Sequence, residues 1–401
     1  MITKKHGSYY VVIKYKDEFG TVKRKWASAG TNYRDAQKME RELIARRDDG
    51  EIFYSRNDEP TVSSYLAEWL ETAVKPPAKS LGTYENYLFC VKKITSLIGG
   101  VKLTKLSPVV ITKSYRKLQA NGLSVTSIRM IHRVLRAALN KAVKWDMLSK
   151  NPCLNADVPS PTPSPAVALT KDQAMALLAQ SERKGPYANT IIALGMLCGL
   201  RDAESCALRW QDYKEEEGKL FIRHNLSERY ATGIDPKQYE YFYRPAGGKK
   251  ALVLDKTKTE SSNDYIMLPQ YVQDRLRKLR LLYIKKKMQT GPAFHDDKFI
   301  LCDDVGIPYS PHKIYYTVQK VRSAYNRDHP DGQLPKIRAH DLRHTAATLL
   351  LEENIDIKYV SRQLRHSSTT ITQNLYQHVT ETAAKKTAHA MDEIFSQENE
   401  G

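Results

Sequence analysis

The sequence predicts a multidomain chain. A small N-terminal sheet with one helix covers residues 1–56, an all-α domain covers 60–157, and a proline-rich linker spans 158–167. A mixed, mainly α domain with a small β-hairpin follows over 168–395. Three observations predict this. At 401 residues the chain exceeds the roughly 100–200 residues of an ordinary domain. Its apolar pattern changes near residue 60 from aromatic and β-branched runs to helical spacing. In Pro159-Ser160-Pro161-Thr162-Pro163-Ser164-Pro165, alternate prolines forbid a helix and favour an extended connector.

Taken in order, Tyr9 to Tyr15 and Thr21 to Trp26 have strand composition, and the turn chemistry of Asp17 to Gly20 between them predicts a hairpin. Arg34 to Arg47 places Ala36, Met39, Leu43 and Ile44 at helical spacing, and because a two-stranded hairpin is inadequate alone, a third strand or this helix must cover it, giving a three-stranded sheet plus helix. Lys23, Arg24 and Lys25 stud the second strand and suit a β-ribbon in a major groove, or an ordinary solvated face. Leu66, Trp69 and Leu70 then mark one amphipathic helix, and Tyr84, Tyr87 and Leu88 a second. Ser107-Pro108 supplies an N-cap and a first-turn proline for a third. In a fourth, Ile131, Val134, Leu135, Ala138 and Ala142 form an apolar stripe, while Arg129, Arg133, Arg136, Lys141 and Lys144 make the rest basic. Beyond the linker, Thr170 and Gln173 form a capping box ahead of Ala174, Leu177 and Leu178.

Charge narrows the function. Lysine and arginine total 63 against 45 acidic residues, a net +18 without histidine, which suits a polyanion such as nucleic acid. The five cysteines, Cys90, Cys153, Cys198, Cys206 and Cys302, show no metal-binding or disulfide spacing and read as reduced core thiols. No apolar run approaches the roughly 20 residues of a membrane helix, so a cytoplasmic protein without membrane association is expected.

Four polar constellations occupy the last part of the chain: Cys198-Gly199-Leu200-Arg201-Asp202-Ala203-Glu204, Lys256-Thr257-Lys258-Thr259-Glu260-Ser261-Ser262, His340-Asp341-Leu342-Arg343-His344-Thr345, and Leu364-Arg365-His366-Ser367-Ser368. Tyr376 lies ten residues after His366. The second reads as a polar turn ahead of Tyr265-Ile266-Met267-Leu268, which suits the second strand of a hairpin. In the third, His340 and Arg343 sit at i and i+3 on one helix face. Each is weak alone.

Their order, Arg, Lys, His-x-x-Arg, His and then Tyr, resembles the active-site signature of the tyrosine recombinases, the phage integrase family, and in particular the integrases of conjugative transposons and temperate phages of Gram-positive bacteria. The resemblance implies an arm-type DNA-binding domain at 1–56, a SAM-like core-site DNA-binding domain at 60–157 and a catalytic domain at 168–395. It also implies cleavage and rejoining of double-stranded DNA through a 3′-phosphotyrosine and a Holliday junction, with integration, excision or transposition of a mobile element as the outcome.

In that chemistry Arg201 and Arg343 meet the charge that builds on the phosphate oxygens with fixed bidentate donors, and His366 adds another. Tyr376 is the nucleophile. Its phenol, with an ordinary pKa near 10, needs a base or proton shuttle, for which His340 is the candidate. Family analogy makes Lys258 the general acid for the leaving 5′ oxygen, with Lys256 the competing assignment. The covalent bond conserves the phosphodiester energy, so rejoining needs no ATP, and no metal or other cofactor is expected because the histidines lack a credible set of acidic or thiolate co-ligands.

The resemblance also implies a homotetramer on DNA and a directionality factor. Ala383 to Phe395 reads as a terminal helix whose apolar residues Ala384, Ala388, Met391, Ile394 and Phe395 pack on a neighbouring protomer or on their own domain. Arg223 to Lys250 reads as an insertion beside the hairpin, contacting DNA or a partner, or forming a plain surface loop. Two residues depart from the family pattern, Ala203 and Arg365, both standing where glycine is usual; they bear on local backbone geometry and remove no catalytic group. A DNA-binding accessory factor or repressor without catalysis is the alternative, but it gives no reason for Tyr376, the separated arginines or H-x-x-R. A type IB topoisomerase shares the phosphotyrosine chemistry without needing the small N-terminal domain.

Overall fold

The computed structural model describes residues 1–16, 22–48, 59–161, 167–231, 234–256 and 265–365, together with Ala388. Two compact units divide the chain between Pro163 and Ser164.

In the first unit, β1 (Ile2–Lys5), β2 (Ser8–Lys16) and β3 (Val22–Ser28) form an antiparallel sheet in that order. Val11, Ile13 and Tyr15 alternate onto one face, where Ala36 and Leu43 of α1 (Tyr33–Asp48) meet them, as the strand and helix periods require. Four further helices enclose a separate core: α2 (Val62–Trp69, continuing as one π-helical segment through Val74), α3 (Leu81–Ile98), α4 (Pro108–Ala120) and α5 (Val125–Lys144). Each starts on a hydroxyl cap, from Thr61, Ser80, Ser107 and Ser124, whose oxygen accepts a bond from an orphan first-turn N–H. Tyr65 carries its ring fully into this core and donates its hydroxyl to the Ala138 carbonyl at 2.5 Å. In α3 the buried face is Cys90, Val91, Ile94 and Ile98, and Leu88, expected to face inward, is exposed.

The second unit is built around α7 (Pro186–Met196), buried on nearly every side. α6 (Lys171–Arg183), α9 (Gln270–Thr290), α10 (Pro311–Asp328) and α11 (Ala339–Glu352) pack on it, and α12 (Ile357–Gln363) packs on α11. The expected capping box opens α6, with Gln173 N–H donating to Thr170 Oγ1 at 3.3 Å and Thr170 N–H to Gln173 Oε1 at 3.1 Å. The short α8 (Asp202–Ala207) leads into the strands.

Those strands correct one expectation. Residues 250–256 and 265–267 do not pair as a hairpin: β9 (Tyr265–Met267) pairs with β5 (Lys219–Phe221), itself paired with β4 (Tyr213–Lys214). β8 (Lys250–Lys256) lies between β6 (His224–Tyr230) and β7 (Phe242–Tyr243) in a second sheet. Non-local partners win because they bury more. Ile266 meets Leu220, and Leu226 meets Leu254, all within the main core. The stretch read as an insertion therefore supplies the neighbours of β8: all seven residues of β6 are in register with it.

Candidate active site

Three segments of the second unit converge: the turn after α7 carrying Gly199 and Arg201, the start of α11 carrying His340 and Arg343, and the turn after α12 carrying Leu364 and Arg365. Arg343 joins them. Its side chain is fully buried, 1% exposed, and it donates Nη1 to the Gly199 carbonyl at 2.7 Å and Nη2 to the Leu364 carbonyl. Burial, with the nearby Arg201 charge, pushes this guanidinium down to about 9, so it remains cationic at neutral pH. The turn at Gly199 needs glycine for two reasons: its φ is +65°, and a Cβ there would lie 2.2 Å from Leu364 Cδ2.

Arg201 is open where Arg343 is closed, with 39% of its side chain exposed. It stands at the N-cap of α8, and Glu204, three residues on, holds it twice: Oε2 accepts the Arg201 backbone N–H at 2.8 Å and Oε1 accepts Nη1 at 2.7 Å. Glu204 is buried and also pairs with Arg365. Burial pushes its carboxyl upward, but the Arg365 and Arg201 charges and the backbone bond outweigh it, and the pKa lies below the ordinary glutamate range.

His340 opens one side to solvent at the start of α11 and meets the ring of His344 edge to face at 4.9 Å. Packing around the ring first, then the Arg343 and Arg201 charges, lower its pKa. A neutral imidazole, able to accept a proton, is the result at neutral pH. The helix start is secured by Asp341, whose Oδ2 accepts the Arg338 backbone N–H at 2.7 Å and whose Oδ1 accepts Arg338 Nη2 at 2.9 Å.

Of the residues expected from sequence, the structure brings together Arg201, His340 and Arg343. Lys258, His366, Tyr376 and, apart from Ala388, the helix expected at Ala383 to Phe395 lie outside the described residues, as does the side chain of Lys256. Glu204 also belongs to the site, and the order of the motifs does not mark it. Its signal was an acidic residue three positions after Arg201 at a helix start, the spacing of a capping box. The two departures from glycine separate here. Ala203 lies within α8, where alanine is the better helix former. Arg365 has φ +52°, a left-handed conformation that costs a non-glycine residue about 1–2 kcal/mol.

The basic residues fall on two surfaces. On α5, Ile128, Ile131, Val134, Leu135, Ala138 and Ala142 are buried. Arg129, Arg133, Arg136 and Lys144 are exposed, and Lys141 is half-buried with its ammonium 5.2 Å from the Trp145 ring centre. On β3 strand alternation separates the run. Arg24 is exposed on the face away from α1, paired across from Lys14, while Lys25 lies half-buried opposite the core residue Ile13. Lys23 is in register with Tyr15, and its side chain lies outside the described residues. Near Arg24, Lys5 sits over the exposed Trp26 ring at 4.6 Å. All five cysteines are free and buried, and among the described residues no helix is long and apolar enough to cross a membrane.

Comparison with known proteins agrees with this geometry. The sequence pattern of the phage integrase SAM-like domain matches residues 62–158. A tyrosine recombinase XerC-like protein of Caldanaerobacter subterraneus subsp. tengcongensis is 24% identical, across 95% of this chain and 94% of its own. The ICEBs1 integrase of Bacillus subtilis is 23% identical, across 83% and 82%. Among solved structures, the Tn1549 transposon integrase bound to circular intermediate DNA superposes with a TM-score of 0.64 at 21% identity, covering 79% of this chain and 95% of that one. A lambda integrase tetramer bound to a Holliday junction gives 0.55 at 16% identity, covering 93% of each. With the phage integrase pattern itself matching residues 168–383, more than half of its length, the chain belongs to the phage integrase family, the tyrosine recombinases.

Proposed function

We propose that this protein is the site-specific recombinase of a mobile element, an integrase that cleaves and rejoins double-stranded DNA through a covalent bond to Tyr376. The observation that carries the reading is the convergence of Arg201, on the turn after α7, with Arg343 and the neutral His340 of α11, two cations and a base from two separate segments of the chain. A scissile phosphate placed there meets the open guanidinium of Arg201 and the fixed charge of Arg343 as its non-bridging oxygens gain charge. His340 takes the phenolic proton, directly or through a shuttle, and the Tyr376 oxygen attacks phosphorus. The P–O bond to the 5′ oxygen breaks, and Lys258, with Lys256 the alternative donor, protonates that oxygen. His366 adds a donor to the phosphate. Attack by a 5′ hydroxyl on the phosphotyrosine reverses the step and restores the diester without ATP.

Residues 60–157 bind the core site, with Arg129, Arg133, Arg136, Lys141 and Lys144 of α5 on the phosphates, and residues 1–56 bind arm sites. Arg24, Lys14 and Lys5 share the open face of that sheet and contact the groove, whereas Lys23 and Lys25, in register with Tyr15 and Ile13 on the other face, reach DNA only from the edge of the strand. Residues 158–167 link these to the catalytic domain, 168–395. A tetramer on two DNA sites, joined through the terminal helix and biased by a directionality factor, exchanges strands through a Holliday junction. The lambda and Tn1549 structures, the one on a Holliday junction and the other on circular intermediate DNA, support this reading by fold.

The test uses attachment-site DNA nicked near the cleavage point, which traps the intermediate. The expected outcome is a protein–DNA adduct that survives denaturing electrophoresis and is abolished by Tyr376→Phe, with DNA binding intact. Binding without an adduct on the element's own sites would assign the protein to non-catalytic DNA binding.

A further inference from the structure

The turn after α12 carries an arginine where glycine would be easier. Arg365 holds φ +52°, which glycine adopts freely. Its side chain is 8% exposed and reaches Glu204, whose own side chain is 5% exposed. Glu204 meanwhile holds Arg201 through both its backbone N–H at 2.8 Å and its Nη1 at 2.7 Å. A single buried carboxylate is thus shared by a guanidinium open to solvent and one that is enclosed.

The same two turns meet at two more points. Arg343 donates to a carbonyl on each, Gly199 and Leu364, and the Leu364 side chain fills the space a Gly199 Cβ would take.

We propose that Arg365 is a positioning residue for strand cleavage: its ion pair with Glu204 fastens the turn after α12 to the loop carrying Arg201, and leaves Arg201 with only part of that carboxylate. Two consequences follow for the site. With Arg365 present, Glu204 is already neutralised, so the exposed face of Arg201 stays available to a phosphate. Without it, Arg201 becomes the sole cationic partner of the buried carboxylate and is drawn toward it, and the turn loses its anchor. This rests on the recombinase reading above.

The test compares Arg365→Gly, Arg365→Lys and Arg365→Gln with wild type. The quantities measured are the single-turnover rate of adduct formation at saturating nicked attachment-site DNA, DNA affinity, and the unfolding temperature. A purely conformational role predicts that Arg365→Gly, which relieves the left-handed strain, reacts as fast as wild type or faster. The ion-pair role predicts that Arg365→Gly binds DNA within about twofold of wild type but forms adduct about tenfold or more slower, as a displaced charged group would cause. It also predicts that Arg365→Lys, which keeps the charge and the strain, recovers to within about threefold.

An Arg365→Gly rate equal to wild type overturns the proposal, as does an Arg365→Lys rate no better than that of Arg365→Gly. If Arg365→Gly does not fold, Arg365→Lys against Arg365→Gln gives the same contrast at nearly constant side-chain length, and equal rates for that pair overturn it. Failure of the recombinase reading is distinct, because then wild type itself forms no adduct that Tyr376→Phe removes.

Discussion

Helices α5 and α11 use charge in opposite ways. On α5 every residue of the inward stripe is apolar and the arginines stand outside. On α11 Asp341, Arg343 and Thr345 are buried among Leu342, Ala346 and Ala347. An ordinary amphipathic helix leaves its charges in water because burying one without partners costs several kcal/mol. Arg343 escapes that cost through two carbonyl acceptors, Asp341 through Arg338, and Thr345 by accepting the Leu169 N–H at 3.0 Å while donating to the Asp341 carbonyl at 2.9 Å. The difference teaches where chemistry sits. A charged surface disperses its cations toward a long polyanion, whereas a reaction centre fixes a few of them in place before the substrate arrives.

The sharpest way to break this comparison is Arg343→Lys. Lysine keeps the charge but lacks the planar fork that reaches Gly199 and Leu364 together. Adduct formation on nicked DNA is expected to fall at least about a hundredfold, while DNA affinity changes by less than about threefold. A rate near wild type would mean that Arg343 contributes charge alone.

The pH dependence of the same rate tests the other polar residue at the head of α11. The His340 pKa is lowered by its packing and by the Arg343 and Arg201 charges, so the proton-accepting form persists below the ordinary histidine value near 6.5. The rate is therefore expected to be flat from neutral pH down to about 6.5, then to fall by up to about tenfold per unit once pH drops below the lowered pKa. His340→Gln should be slow throughout and lack that acid limb. A limb centred above 6.5 would show that the site holds His340 charged.

Helix α5 predicts a different signature. Changing Arg129, Arg133 and Arg136 together to alanine should lower affinity about tenfold at moderate salt and reduce the slope of log K against log salt by about one for each phosphate no longer neutralised. The rate at saturating DNA should change by less than about threefold. An unchanged salt slope would remove α5 from the DNA footprint.

What the sequence made legible follows the same division. The α5 stripe, the Ser107-Pro108 start and the Thr170–Gln173 box are local patterns, and the structure reproduces them because local physics decides them. Arg201, His340 and Arg343 were nameable from their order along the chain, but the burial of Arg343 was not, since its acceptors lie 144 and 21 residues away. Strand pairing is not legible in the sequence for the same reason. A turn-like run before Tyr265 suggested a neighbour in sequence, and a core position beside Leu220 decided otherwise. The run Lys23-Arg24-Lys25 looked like one patch until the register set Arg24 and Lys25 on opposite sides.

The smallest expected effect concerns the other departure from glycine. Ala203 lies inside α8, donates its N–H to Asp202 Oδ1 at 2.9 Å and needs no special backbone conformation. Ala203→Gly restores the residue usual in the family, yet it should lower stability by about 1 kcal/mol, the helix-propensity difference, and shift the unfolding temperature by a few degrees. Adduct formation at saturating DNA should stay within about twofold, because α8 holds Arg201 through Glu204 rather than through residue 203. A larger loss of rate would place the backbone of α8 itself in the catalytic geometry. The two glycine departures would then be a coupled pair across Glu204, which the double variant Ala203→Gly with Arg365→Gly would expose as a non-additive rate.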